Sequence, residues 1–150
     1  MIRDQLGWEE VVTLRMTATT DFDEFFNARR RVAAEAYTNG DSQPLDSLVT
    51  RNGAATFHSP RGDTVSGADA VATRYRSDAA SFAPGGETAL QVLQQGASGD
   101  LAFWTGFQDA TVHLAGRDQP VTMRIRVTEV FRREAAQWKL IHRHADVPPS

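Results

Sequence analysis

The chain is expected to fold as one α+β domain, with three N-terminal helices packed in a strongly curved antiparallel sheet. Three observations predict this. Apolar residues recur at spacings of three and four in the first half and at a spacing of two in the second. The helical segments come first and the strands last, rather than alternating as an α/β chain would. With 150 residues, 41% of them hydrophobic and 23% charged, the chain can build one core and little more.

Residues 1–20 read as an N-terminal arm with a helical turn around Glu9–Arg15, and residues 21–150 as the domain proper. From Asp21, capped by Thr19 or Thr20, Phe22, Phe25, Phe26, Val32, Ala33, Ala36 and Tyr37 keep a helical period. Acidic residues in the first turn and Arg29-Arg30-Arg31 further along suit the helix dipole, and Asn39-Gly40-Asp41 ends the run. The arginine triplet reads as a solvated face. A short helix is expected over Pro44–Val49, a strand over 54–58, a turn at Ser59–Asp63, and a third helix from Gly67 to about Phe82, stopped by Pro84-Gly85-Gly86. Strands are expected over 88–95, 101–114, 121–132 and 137–145, with turns near Gly99, Gly116 and Ala135-Ala136. In 121–132, Val121, Met123, Ile125, Val127 and Phe131 share one face, and Arg124, Arg126, Thr128, Val130 and Arg132 the other. No predicted helix is left to cover that second face, so a homodimer through the outer face of the sheet is expected.

Composition narrows the function. A net charge of -3 and the lack of an aromatic-interleaved basic stretch argue against a nucleic-acid partner. No apolar run approaches the ~20 residues that cross a bilayer, and residues 1–10 are too acidic for a signal peptide, so no membrane partner and a cytoplasmic location are expected. The absence of cysteine removes disulfides, thiolate metal sites and cysteine nucleophiles. Basic charge rests on fifteen arginines against Lys139 alone, which suits fixed bidentate contacts or simply reflects genome composition.

The C-terminal run Arg126-Val127-Thr128-Glu129-Val130-Phe131-Arg132-Arg133, then Trp138-Lys139-Leu140-Ile141-His142-Arg143-His144-Ala145-Asp146, resembles the last hairpin of nuclear transport factor 2-like proteins. It is most similar to the SnoaL-like polyketide cyclase and ketosteroid isomerase-like branch, and similar also to the association domain of calcium/calmodulin-dependent kinase II. Tyr37–Asp41, Phe57–Gly62 and Ser66–Val71 fall in the order this resemblance requires. It implies a cystatin-like cone, a pocket between sheet and helices, and pairing through the sheet. Activities hosted by such folds include isomerases, cyclases and dehydratases, alongside non-catalytic assembly domains, so the fold alone names no reaction. Many relatives carry serine two residues after the second histidine, where this chain has Asp146.

Regular alternation puts Trp138, Leu140, His142, His144 and Asp146 on one strand face, about 6.5–7 Å apart in steps of two. If Trp138 and Leu140 are core, the rest of that face looks into the pocket. His144 and Asp146 are then candidate acid/base groups, because imidazole titrates near neutral pH. The same histidines can instead satisfy a backbone group or rim a dimer interface. Candidate ligand contacts are His142, His58, Tyr37, Tyr75 and Trp104, with Phe107 as a further wall. Arg126 must reach solvent, pair with a carboxylate or bind an anion. Zinc on His142 and His144 would need Asp146, His58 or His113 as a third ligand. The spacing does not demand it, so no metal and no cofactor are expected. Two functions remain open: proton transfer on a small apolar carbonyl compound, and non-catalytic ligand binding or association.

Overall fold

A computed structural model describes residues 7–149. The first helix is longer than the sequence suggests. α1 (Trp8–Phe25) runs through a π-helical turn (Phe26–Arg30) straight into α2 (Arg31–Thr38), so most of the expected arm is helical; residues 1–6 lie outside the described part.

The π turn has a cause in the spacing. Phe22, Phe26, Arg30, Ala34 and Thr38 are all buried and recur every four residues. In an α-helix each four-residue step overshoots a full turn by about 40°, so such a column would wind off the core. One wider turn takes up the surplus and keeps the column on a single face. Arg30 is thereby carried into the core, leaving Arg29 exposed and half-burying Arg31 against the Leu90 carbonyl at 2.8 Å. The triplet is therefore not a solvated face.

The remaining helices are α3 (Gln43–Asp46) and α4 (Ala68–Ala79), and six strands form one sheet: β1 (Thr56–His58), β2 (Thr64–Ser66), β3 (Phe82–Ser98), β4 (Leu101–Leu114), β5 (Val121–Glu134) and β6 (Gln137–Asp146). The order is β2-β1-β6-β5-β4-β3. All pairs are antiparallel except β1 with β6, which is parallel. Phe82 and Pro84-Gly85-Gly86, expected to close a helix, instead open β3. Asn39 Oδ1 accepts the Gly85 and Gly86 amides at 2.8 and 2.9 Å, tying the end of α2 to this strand. Gly106 on β4 permits a close approach at the β3 irregularity near Val92, since a Cβ there would lie 1.9 Å from the Gln91 carbonyl oxygen. The concave face packs on the helices through Phe22, Phe26, Trp104, Phe131 and Trp138, whose rings meet at 5.3–6.2 Å.

One register shift decides which side chains meet the helices. Phe131 pairs with Leu140, yet Val130 pairs with His142, so Ile141 is an extra residue in β6. A bulge of this kind moves every later side chain to the opposite face. Trp138 and Leu140 are core as expected, and beyond Ile141 it is Arg143 and Ala145 that face inward, opposite Glu129 and Val127. His142, His144 and Asp146 lie on the outer face. The bulge falls where β6 exchanges its edge partner, from residues 48–50 at Leu140 to β1 at His142.

Candidate functional site

A cavity of about 310 Å³ lies between α2, α4 and the concave face of β4 and β5. Its walls are apolar: Ala34, Leu45, Phe57, Phe82, Ala110, Val112, Met123 and Ile125 contribute most of them. Alternation in β4 and β5 explains why these residues line it, because even positions of β4 and odd positions of β5 share the concave face.

The buried end is charged. Glu129 is fully enclosed and accepts Arg30 Nε at 2.8 Å and Trp104 Nε1 at 2.6 Å on Oε1, with Arg30 Nη2 at 2.9 Å and Arg143 Nη1 at 2.8 Å on Oε2. Arg143 Nη2 also donates to Gln108 Oε1 at 2.9 Å. Burial alone would raise the Glu129 carboxyl, but the two guanidiniums and the hydrogen bonds from Arg30 and Trp104 hold it down to about 2. Burial also opposes the charge on Arg30, and Glu129 outweighs it, so its pKa is raised. Arg30, Arg143 and Gln108 line the cavity, whereas Trp104 stands behind them as a donor to Glu129 rather than as a wall.

Tyr37 and Tyr75 line the cavity, as the sequence suggests. Burial raises both phenols, so they are neutral hydrogen-bonding groups at neutral pH. The buried Tyr75 hydroxyl and Arg30 Nη1 have no hydrogen-bond partner among the described residues. Nearer to solvent, Arg74 Nε bonds Asp78 at 3.0 Å and its Nη1 bonds Asp63 at 2.7 Å, and Ser59 donates to Asp63 as well. These bonds, with that from Arg74 foremost, hold the Asp63 carboxyl down to about 2.

The other expected residues gather on the opposite side of the sheet. His58 packs edge-on against both His142 and His144, with ring centroids 5.1 Å apart in each case. His142 Nδ1 lies 2.6 Å from Thr56 Oγ1, and His58 Nδ1 lies 2.8 Å from Thr64 Oγ1. Burial, then the neighbouring His58 and His144, lowers the His142 pKa. Arg126 grips Asp146 in a bidentate pair of 2.6 and 2.8 Å, which lowers the Asp146 carboxyl through that bond. Arg126, His144 and Asp146 line an outer groove with Leu93 and Phe107. The expectation that His142, His144 and Asp146 look into the pocket with Trp138 is thus corrected by the bulge. His58 follows them because it pairs alongside His144. Asp146 sits beside an arginine, and the three imidazoles face one another. Among the described residues, no group of three or more His, Asp or Glu is arranged to hold a metal ion, and no helix is long and apolar enough to cross a membrane.

The model of the SnoaL-like domain matches residues 26–149. The chain belongs to the SnoaL-like domain family. Among solved structures, this SnoaL-like domain is similar to a candidate dehydratase of the NTF2-like family from Streptomyces avermitilis, with 23% identity and a TM-score of 0.73 over 87% of this chain and 98% of that one. It is similar also to a CaMKII hub from S. rosetta, at 22% identity and a TM-score of 0.61 over 87% and 96% of the two chains. A third likeness is to a candidate ketosteroid isomerase from Parabacteroides distasonis, at 18% identity and a TM-score of 0.55 over 75% and 80%. At these identities the likeness establishes the cystatin-like, NTF2-like fold. No curated protein matches the chain.

Three charged residues at the buried end of the cavity in this SnoaL-like domain are missing from the candidates drawn from sequence. Glu129 has the inward parity of Val127 and Phe131, and that parity was its signal. Arg30 is marked only by the four-residue column from Phe22. Arg143 has no local signal, because its facing depends on the bulge.

Proposed function

We propose that this chain binds a small, mostly apolar molecule in the cavity between helices and sheet, and that binding, rather than the outer histidines, is the core of its function. The observation that carries the reading is the buried Tyr75 hydroxyl, without a partner among the described residues, at a cavity of about 310 Å³ whose walls are mostly apolar. Buried hydroxyls are nearly always paired, and an apolar pocket with a few converging polar groups is the usual form of a ligand site. Tyr37 and Tyr75 supply neutral donors to a ligand oxygen, and Phe57 and Ile125 supply apolar contact. Among the lining residues, Asp78 is the single carboxylate, and Arg74 holds it. That arrangement favours binding over proton transfer by the cavity itself. Calorimetric titration with naphthalene-2-carboxamide and related small carbonyl compounds tests the reading, alongside an Ala110→Phe variant that fills the cavity. Saturable binding by the wild type and its loss in the folded variant are expected; equal binding by both would refute the cavity as the site.

The outer face supports a second reading, self-association. Leu93, Leu101 and Phe103 are 59%, 54% and 38% exposed there, beside the groove lined by Arg126, His144 and Asp146. Patches of this kind mark protein contacts, and one of the solved relatives is named a hub. Under this reading His144, Asp146 and Arg126 serve the contact between copies. Sedimentation at about 50 µM, above the micromolar binding regime, should give a dimer, and a clean monomer would remove this reading.

A further inference from the structure

We infer that the cavity selects an anionic ligand, a small carboxylate on an apolar body, whose charge completes the Arg30–Glu129–Arg143 cluster. This rests on the cavity being a ligand site.

Two guanidiniums, Arg30 and Arg143, with side chains 3% and 13% exposed, share one carboxylate that is 0% exposed. Glu129 already accepts four hydrogen bonds, two on each oxygen, which is about all a carboxylate can take. It has nothing left to offer Arg30 Nη1, and that nitrogen is buried without a partner among the described residues. An excess positive charge held out of water is costly unless an anion joins it. Gln108 meets Arg143 with an amide oxygen, which supplies a hydrogen bond but no charge.

The other charges of the cavity leave that excess in place. Toward solvent, Arg74 binds Asp63 and Asp78 while the exposed Arg61 also lines the cavity, so these charges balance, and the Asp63 side chain is 49% exposed, where water screens it. None of the hydrogen bonds of that group reaches Arg30 or Arg143. The cavity is therefore basic at its buried end and balanced toward solvent, so a carboxylate sits head first. Arg30 and Tyr75 each retain an unused donor for it, and the apolar walls take the body.

The test has one arm without ligand and one with. Gln108→Glu places a carboxylate where Gln108 Oε1 already accepts from Arg143. If the cluster lacks one negative charge, this variant should melt higher than the wild type by about 2–4 °C, although a buried Gln→Glu change ordinarily destabilises. In calorimetry, the wild type should bind naphthalene-2-carboxylate roughly tenfold or more tightly than naphthalene-2-carboxamide. Gln108→Glu and Arg143→Gln should each abolish that preference, read within each variant as the ratio of the two affinities. A carboxamide that binds the wild type as well as the carboxylate, or a Gln108→Glu variant that melts lower, overturns the anionic ligand and leaves the cavity as a site for neutral compounds. Binding of neither probe overturns both readings.

Discussion

The two faces of strand β6 carry similar chemistry to opposite ends. Inward, Arg143 joins a buried cluster with Glu129, Arg30 and Trp104. Outward, one residue away on either side, His142 and His144 lean on His58 beside an exposed Arg126–Asp146 pair. Both are networks of ionisable groups on the same strand, but solvent separates them. Removing a partner inside strands a charge in low dielectric, whereas outside water replaces what is lost. The difference teaches that the residue types in a motif say little until the side of the sheet is known.

The largest effect that tests this contrast is Glu129→Ala against His144→Ala. The first leaves two buried guanidiniums without their carboxylate and should cost about 3–5 kcal/mol in urea unfolding. The second removes an exposed ring and should stay within about 0.5 kcal/mol. Equal losses would end the distinction between the faces.

Thiol labelling reads the facing directly, because the chain has no cysteine of its own. His144→Cys should react with a maleimide at the rate of a free thiol. Arg143→Cys, turned inward, should react at least about tenfold more slowly, tracking local opening rather than surface exposure. Comparable rates would contradict the bulge at Ile141.

A smaller effect separates cavity from core. Tyr75→Phe deletes a buried hydroxyl that has no partner among the described residues, so stability should hold or rise by up to about 1 kcal/mol, whereas loss of a paired hydroxyl would cost that much. Affinity for naphthalene-2-carboxamide should fall in the same variant. A clear destabilisation would show that the hydroxyl is already employed.

The smallest effect is on pH. The lowered His142 pKa means that the folded state disfavours its proton, so stability falls as pH drops below about 6.5. Thermal melts should show a shallow decline there, and His142→Gln should flatten it. The Glu129 carboxyl, held at about 2 against an ordinary 4.5, contributes stability above 4.5 that is lost as pH falls toward 2. That second limb should be much steeper. A single smooth decline would blur the two faces.

The fold was legible because it rests on period. The change from spacings of three and four to two marks helices and strands, and β4 has the bounds that alternation predicts, 101–114. The site was half legible. Tyr37 and Tyr75 sit on regular helix, where spacing turned them toward the sheet and the resemblance implied a pocket. The histidine column was misplaced, and Arg143 passed over, because one residue inverted the facing, and the energy that sets a bulge comes from pairing with distant partners, here residues 48–50 and β1. Arg30 was read as solvated because a single α-helical period cannot describe a helix that contains a π turn.

Those two irregularities, one in a helix and one in a strand, each deliver an arginine to Glu129. It follows that an alignment of letters is an unsafe guide to this interior. Two chains could share every letter from Trp138 to Asp146 and still offer the cavity opposite side chains, if only one of them is bulged at Ile141. What such relatives inherit in common is a backbone phase. Transfer of a binding role between them is sound only after the count of residues between Phe22 and Thr38, and the pairing of Phe131 with Leu140, have been matched.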